Sequence, residues 1–325
     1  MESTYGGRKH GEIIDFVSEL SKIIQEALDK GGNLVIPSFA VGRTQELLYF
    51  IRQIKEKGLV KGHDDFPVYV DSPLAIEATE IFTHAEREYM DAETLKLIDK
   101  GINPISFSNL NLTVSSDESR EINEDRTPKV IISASGMCDA GRIRHHLKHN
   151  LWRNDSIVLF VGYQANGTLG RMLHDGLKEL KLFGEKITVN AQIKSLTGIS
   201  GHADEDGLLK WISSFRKKPK TVFINHGQDE ACNTMVDKIS KLLTCHCVAP
   251  FSGAEYDLLH DIKLRDGFCK KLKKHHTSKT SIAFERLKAA GKKLLDVISH
   301  NEGGTNKDLN KFARQIEELN EKWDR

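Results

Sequence analysis

Four short apolar runs, at residues 33–36, 67–70, 129–132 and 157–161, constrain the fold of this chain more than any other feature. Each is of strand length and, after Asn33 and Lys129 that open two of them, apolar on consecutive positions, as a strand buried on both faces must be. Each leads through a small or polar loop into a helical stretch. These stretches read as 44–57, a broken region reaching about residue 100, 140–150, and a short helix from Thr168. An amphipathic helix over 11–30 precedes the first run and stops at Gly31-Gly32. Strands alternating with helices predict an α/β fold with a doubly wound, mostly parallel sheet.

In such a sheet the strands exit at one edge, where ligands bind. The exits hold Ser38, Gly42 and Arg43, then Asp71 and Ser72, then Ser135 and Gly136, then Gly167, Thr168 and Arg171. Small residues let backbone N–H groups approach a phosphate, and a following helix N-terminus favours negative charge. Arg142, His145 and His146 mark the helix after Ser135, at spacings of three and four that share a face. These residues are candidates for gripping a phosphodiester chain. Ordinary tight turns and a solvated helix face use the same residue types. None of the loops is a Walker loop or a GxGxxG fingerprint, so a nucleotide cofactor is not indicated.

From residue 186 the pattern continues with two polar clusters. A strand-like run over 186–196 leads to Ser200-Gly201-His202-Ala203-Asp204 and a helix over 207–215. The apolar run 221–224 leads to Asn225-His226-Gly227-Gln228 and a helix over 229–243. An imidazole at a strand exit can bind a metal through a neutral nitrogen or shuttle a proton near neutral pH. The alternative is two surface histidines among fourteen.

No apolar run approaches the roughly 18 residues of a membrane span, and the polar start Met1-Glu2-Ser3 is not a signal peptide. Five cysteines without zinc-knuckle spacing read as reduced thiols, so a soluble, cytoplasmic protein is expected. The charge is split. Residues 261–325 carry 16 Lys and Arg against 10 Asp and Glu, while the preceding 260 carry 31 against 36. A basic tail on an acidic body suits a polyanionic partner or a solvated helical surface. The tail holds two helical stretches, 281–299 and one from Thr305, joined at Asn301-Glu302-Gly303-Gly304.

Taken together, the loops resemble the β-CASP branch of the metallo-β-lactamase superfamily. This branch includes the nuclease of pre-mRNA cleavage and polyadenylation and its archaeal and bacterial relatives. Seven motifs in order carry the resemblance over residues 2–255. They are Glu2-Ser3-Thr4-Tyr5-Gly6, Pro37-Ser38-Phe39-Ala40-Val41-Gly42-Arg43, Asp71-Ser72-Pro73-Leu74-Ala75, Ser133-Ala134-Ser135-Gly136-Met137, Gly162-Tyr163-Gln164 with Gly167-Thr168, the His202 cluster and the His226 cluster. The resemblance implies a β-CASP domain over 8–195, flanked by metallo-β-lactamase segments over 1–7 and 196–260, with a basic helical tail over 261–325. The segment 1–7 would be the end of the N-terminal metallo-β-lactamase part, and 196–260 the C-terminal part of its αββα sandwich.

The resemblance further implies a zinc-dependent ribonuclease with two zinc ions. Glu2 and His202 would act in orientation and proton transfer, and His226 would be a zinc ligand. Arg43, Ser135, Gly136, Arg142, His145, His146, Thr168 and Arg171 would contact RNA. The family's main metal motif, His-x-His-x-Asp-His, is not found. The expectation is therefore a chain lacking the N-terminal metal-binding half, inactive alone, that pairs with that half, a partner subunit or a second copy. Two other functions fit less of the sequence. One is a non-catalytic RNA-binding or scaffold partner of a nuclease; the other is an α/β enzyme acting on a small phosphorylated molecule.

Overall fold

The computed structural model describes residues 1–11, 15–196, 198–268 and 279–323, in two compact units, Met1–Pro250 and Phe251–Arg325. The first unit opens with α1 (Phe16–Asp29), β1 (Leu34–Pro37), α2 (Arg43–Glu56), β2 (Val68–Val70) and α3 (Pro73–Thr83). A 3₁₀ turn (Arg87–Tyr89) leads to α4 (Ala92–Asp99), β3 (Leu110–Leu112), α5 (Ser116–Glu124) and β4 (Val130–Ser133). Then follow α6 (Ile143–Asn150), β5 (Ile157–Phe160), α7 (Leu169–His174), β6 (Glu179–Leu182), β7 (Glu185–Thr188) and β8 (Gln192–Ser195). The unit closes with α8 (Glu205–Ser213), β9 (Thr221–Phe223), α9 (Asp229–Leu243) and β10 (His246–Val248).

The central sheet has the order β3-β2-β4-β1-β5-β8, with every neighbouring pair parallel. Side chains alternate across it with the period of two that a strand imposes. Leu34, Ile36, Val130 and Ile132 enter a core shared with Leu20 and Ile24 of α1 and Leu47 and Ile51 of α2. Val35, Ile131, Val158 and Phe160 enter a second core with Ile143 and Leu147 of α6 and with Leu182 and Ile187. Burying each such side chain stabilises the fold by about 1.5–3 kcal/mol. Two covered faces make this the doubly wound α/β fold expected.

Two local expectations are corrected. The run 186–196 is not one strand. β7 pairs antiparallel with β6, whereas β8 joins the central sheet beside β5. The chain turns between them because the Asn190 and Ala191 amides both donate to Leu151 O, at 2.8 and 2.9 Å. The strand at 129–132 is not the next element after the broken helical region either; β3 and α5 lie between them. The α5 sequence is polar and buries only Ser119 and Ile122, so periodicity hides it. Its start is a capping box: Ser115 Oγ accepts from Glu118 N, and Glu118 accepts from Ser115 N.

A smaller core joins α8 and α9 to the parallel pair β9 and β10 through Leu208, Ile212, Val222, Ile224, Met235 and Ile239. The N-terminal residues are laced into this layer. Glu2 bridges to Asn225 and Tyr5 to Asp204, both in parallel sense.

In the second unit β11 (Glu255–Asp257) and β12 (Ile262–Arg265) pair antiparallel, followed by α10 (Lys279–His300) and α11 (Asn306–Trp323). At the start of α11, Thr305 Oγ1 accepts from Asp308 N at 3.3 Å and donates to Asp308 Oδ2 at 2.6 Å. No described helix is long and apolar enough to cross a membrane.

Candidate functional site

The two bridges bring three chain segments together, and the residues they carry converge. Glu2, His202 and His226 present one ligand-type atom each, all within 4.8 Å of one another. The rings of His202 and His226 lie 5.2 Å apart, tilted by 31°. Glu2 Oε2 lies 3.4 Å from His202 Nδ1 and accepts from Thr4 N at 2.7 Å. Glu2 and His202 are half-buried, and His226 is exposed.

Thr4, buried between the two rings, decides how they are used. Its hydroxyl donates to His226 O at 3.1 Å and lies 3.0 Å from His226 Nδ1. With its one proton on the carbonyl, Thr4 Oγ1 can accept from Nδ1–H. That tautomer leaves the Nε2 lone pair of His226 free for a cation. The same hydroxyl is 3.4 Å from His202 Nδ1. The backbone is equally specific. His226 sits at φ 53°, in the left-handed region. A Cβ at Gly227 would fall 2.3 Å from Ser3 Oγ and 2.7 Å from Ser3 O. The sequence carries no chemical signal for Thr4 beyond its place two residues after Glu2.

The exit edge of the central sheet adjoins this cluster. The Arg43 guanidinium, after β1, donates to Ile199 O in the His202 loop and pairs with Glu46. Tyr163, after β5, accepts from Gln228 Nε2 at 2.6 Å in the His226 loop. Arg8 lies over the rings of Tyr5 and Tyr163, 5.5 and 5.3 Å from their centroids, and donates to Thr4 O at 2.8 Å. Gly136 is buried against Phe39, and its carbonyl accepts from Gln164 Nε2 at 3.0 Å. Ser135 is half-buried, its Oγ 3.2 Å from Ala140 O. Thr168 caps α7 by accepting from Arg171 N, while the Arg171 Nε binds both oxygens of Asp175.

The residues expected on one face of α6 are divided. His146 is fully enclosed, with Nε2 2.7 Å from Asp71 Oδ2 and Nδ1 2.9 Å from Asn123 Oδ1. Arg142 donates to Asp71 Oδ1 at 2.7 Å, Thr113 O at 3.1 Å and Val114 O at 2.6 Å. Both therefore face inward, because the unexpected β3 and α5 cover that side of α6. The enclosed His146 is not available to a nucleic acid, which corrects the expectation for it. His145 alone of the three is exposed. Asp71, the centre of the network, also accepts from Thr113 Oγ1 at 2.8 Å and Ser119 Oγ at 2.6 Å. Burial pushes its carboxyl up, but the bonds from His146, Ser119 and Thr113 outweigh that and hold it at about 2.

Comparison with known proteins bears on this geometry. The Beta-Casp domain family matches residues 44–173, and the family described as a Zn-dependent metallo-hydrolase RNA specificity domain matches 186–250. The chain belongs to the β-CASP family of the metallo-β-lactamase superfamily. Ribonuclease TTHA0252 of Thermus thermophilus is 34% identical over 231 residues, 70% of this β-CASP chain and 51% of that protein. Transcription termination factor FttA of Methanocaldococcus jannaschii is 32% identical over 262 residues, 78% of this chain and 40% of its own length. Its counterpart in Methanosarcina mazei is 34% identical over 252 residues, 74% and 38%. The β-CASP chain thus spans about half or less of the length of these relatives.

A carboxylate and two imidazoles are donors that zinc accepts. The residues present therefore fit zinc in donor type, with His226 as the ligand and with Glu2 and His202 facing each other. Because Thr4 sets the His226 tautomer, Thr4→Val is expected to weaken zinc binding about 10–100-fold. Unfolding should be little changed, and Thr4→Ser should restore affinity. Competition with a chromophoric chelator measures it; equal affinity in Thr4→Val would show that Thr4 does not orient the ring.

Proposed function

We propose that this β-CASP chain supplies part of a zinc-dependent centre that hydrolyses RNA phosphodiester bonds. The observation that carries the proposal is the convergence of Glu2, His202 and His226 beside a strand-exit edge. Bound zinc would polarise the phosphate and supply hydroxide near neutral pH. His226 would hold the ion through Nε2. Glu2 would orient His202 through Nδ1, so that Nε2 delivers a proton to the leaving 3′ oxygen. Arg43, Ser135, Gly136, Thr168 and Arg171 would contact the RNA at the exit edge.

Two ions need more donors than this cluster holds, and it is the one metal-capable cluster among the described residues. The chain alone is therefore a weak zinc binder and a poor nuclease, completed by further ligands from a partner or a second copy. The same donor count favours a second function, a non-catalytic RNA-binding partner of a nuclease. Elemental analysis after exhaustive dialysis separates the cases. Well under one zinc per chain is expected. About two per chain would overturn the incomplete-centre proposal. Zinc-saturated protein that binds RNA and never cleaves it would select the non-catalytic function.

A further inference from the structure

The face of α6 opposite Asp71 carries a different chemistry. Lys148 and His149 lie three and four residues after His145, which places them along one side, and Trp152 follows just beyond the end of the helix. Against the start of this row lies the hairpin turn between β6 and β7. Its two loop residues, Phe183 and Gly184, both have positive φ, 51° and 88°. Such a turn favours Asn or Gly, and a bulky side chain there costs backbone energy. Burial does not explain the phenylalanine, since Phe183 is 48% exposed. Its contacts do. The His145 ring stacks on it at 4.3 Å and 20°, and Arg144 Cζ lies 5.2 Å from its centroid.

Arg144 is the second independent observation. Its Nε is shielded from water and has no acceptor among the described residues. An enclosed donor left unmade is costly, and a guanidinium fork matches a phosphate. Further along, a groove of about 550 Å³ is lined by Lys148, His149, Trp152 and Lys186. The acids nearby, Glu185 and Glu179, sit in surface pairs with Lys148 and Lys186, which exchange at little cost. Burial first, then neighbouring cations, pushes the His145 and His149 imidazoles below their ordinary value. Both are thus neutral, flat stacking surfaces at neutral pH.

We propose that Arg144, His145 and Phe183 form a nucleotide platform for single-stranded RNA, outside the metal cluster, with Trp152 further along the same track. Bases stack on the exposed rings, and Arg144 takes a phosphate. α6 begins at the exit edge and runs back along the sheet. RNA held at the Glu2–His202–His226 cluster would therefore leave the edge along this face. An acidic peptide would use Arg144 but gain nothing from the rings. The inference rests on RNA being the ligand of this chain.

Anisotropy of a labelled oligouridylate on the full chain tests it. Phe183→Asn keeps a residue suited to the left-handed turn and removes the ring. Arg144→Gln removes the charge. Each is expected to weaken binding about tenfold with unfolding unchanged. Arg144→Gln should also reduce the salt slope by about 0.7, and Phe183→Asn should leave it alone. Wild-type affinity in both variants would overturn the platform and leave RNA binding standing. No binding by the wild type at low salt would overturn both. Displacement by polyglutamate as effective as by unlabelled RNA would assign the face to an acidic protein instead.

Discussion

Asp71→Asn is expected to destabilise the first unit by about 3–5 kcal/mol, the usual consequence of breaking a buried charge pair. For a unit of this size that is a fall in Tm of roughly 6–20 °C. Every group facing Asp71 points a donor at it: Arg142, Thr113 and Ser119, with His146 Nε2 alongside. An amide would turn an NH₂ toward some of those donors and leave Arg142 without its carboxylate. The effect has a pH signature. The Asp71 carboxyl is held at about 2, below its ordinary value of 3.8. Its stabilisation is therefore complete above about pH 4 and disappears as pH falls toward 2. It amounts to about 2 kcal/mol. Urea unfolding across that range should show the loss in the wild type, and Asp71→Asn should lack that component. Equal Tm at neutral pH would show that the network is not what holds β2, α5 and α6 together.

How much of this was legible depends on how each segment signals itself. The four central strands were readable because consecutive apolar residues have no other economical fate in a chain this polar. β3 and α5 were not. α5 buries two residues of nine, and a capping box is too common to assert a helix by itself. Missing them had a consequence at the candidate site. Without α5 above it, the side of α6 bearing Arg142 and His146 looks open, and spacing alone puts both beside His145. With α5 in place, Asn123 and Ser119 close that side. A helix wheel gives the angle of a side chain, but only the neighbouring element decides whether that angle faces water.

The metal-capable cluster was legible for the opposite reason. Glu2, His202 and His226 are far apart in sequence, and no spacing rule joins them. The family resemblance did so, because its motifs recur in a fixed order along the chain. What the motifs could not give was Thr4, whose hydroxyl touches both rings, or Phe183, whose conformation is unusual only once its φ is known. Both are backbone-determined contacts, set by the parallel bridges of residues 2–5 and by a two-residue hairpin loop.

The other large effect expected is at His202, and it differs in kind from that at His226. His202→Ala should lower RNA cleavage by about 10²–10⁴-fold, the contribution of one positioned proton donor. Zinc content should not change, because His202 is assigned to proton delivery. His226→Ala should instead lose zinc, and lose cleavage as a result. The distinction follows from the partners. The His202 Nδ1 faces the Glu2 carboxylate at 3.4 Å, which orients the ring for proton delivery. The His226 Nδ1 faces the Thr4 hydroxyl at 3.0 Å, which leaves Nε2 to take the ion. Single-turnover cleavage of labelled RNA with added zinc, alongside elemental analysis of each variant, measures both quantities. Loss of zinc in His202→Ala as well would make both imidazoles ligands, with Glu2 completing a three-donor set. Cleavage unchanged in both variants would place the hydrolytic chemistry outside this cluster altogether.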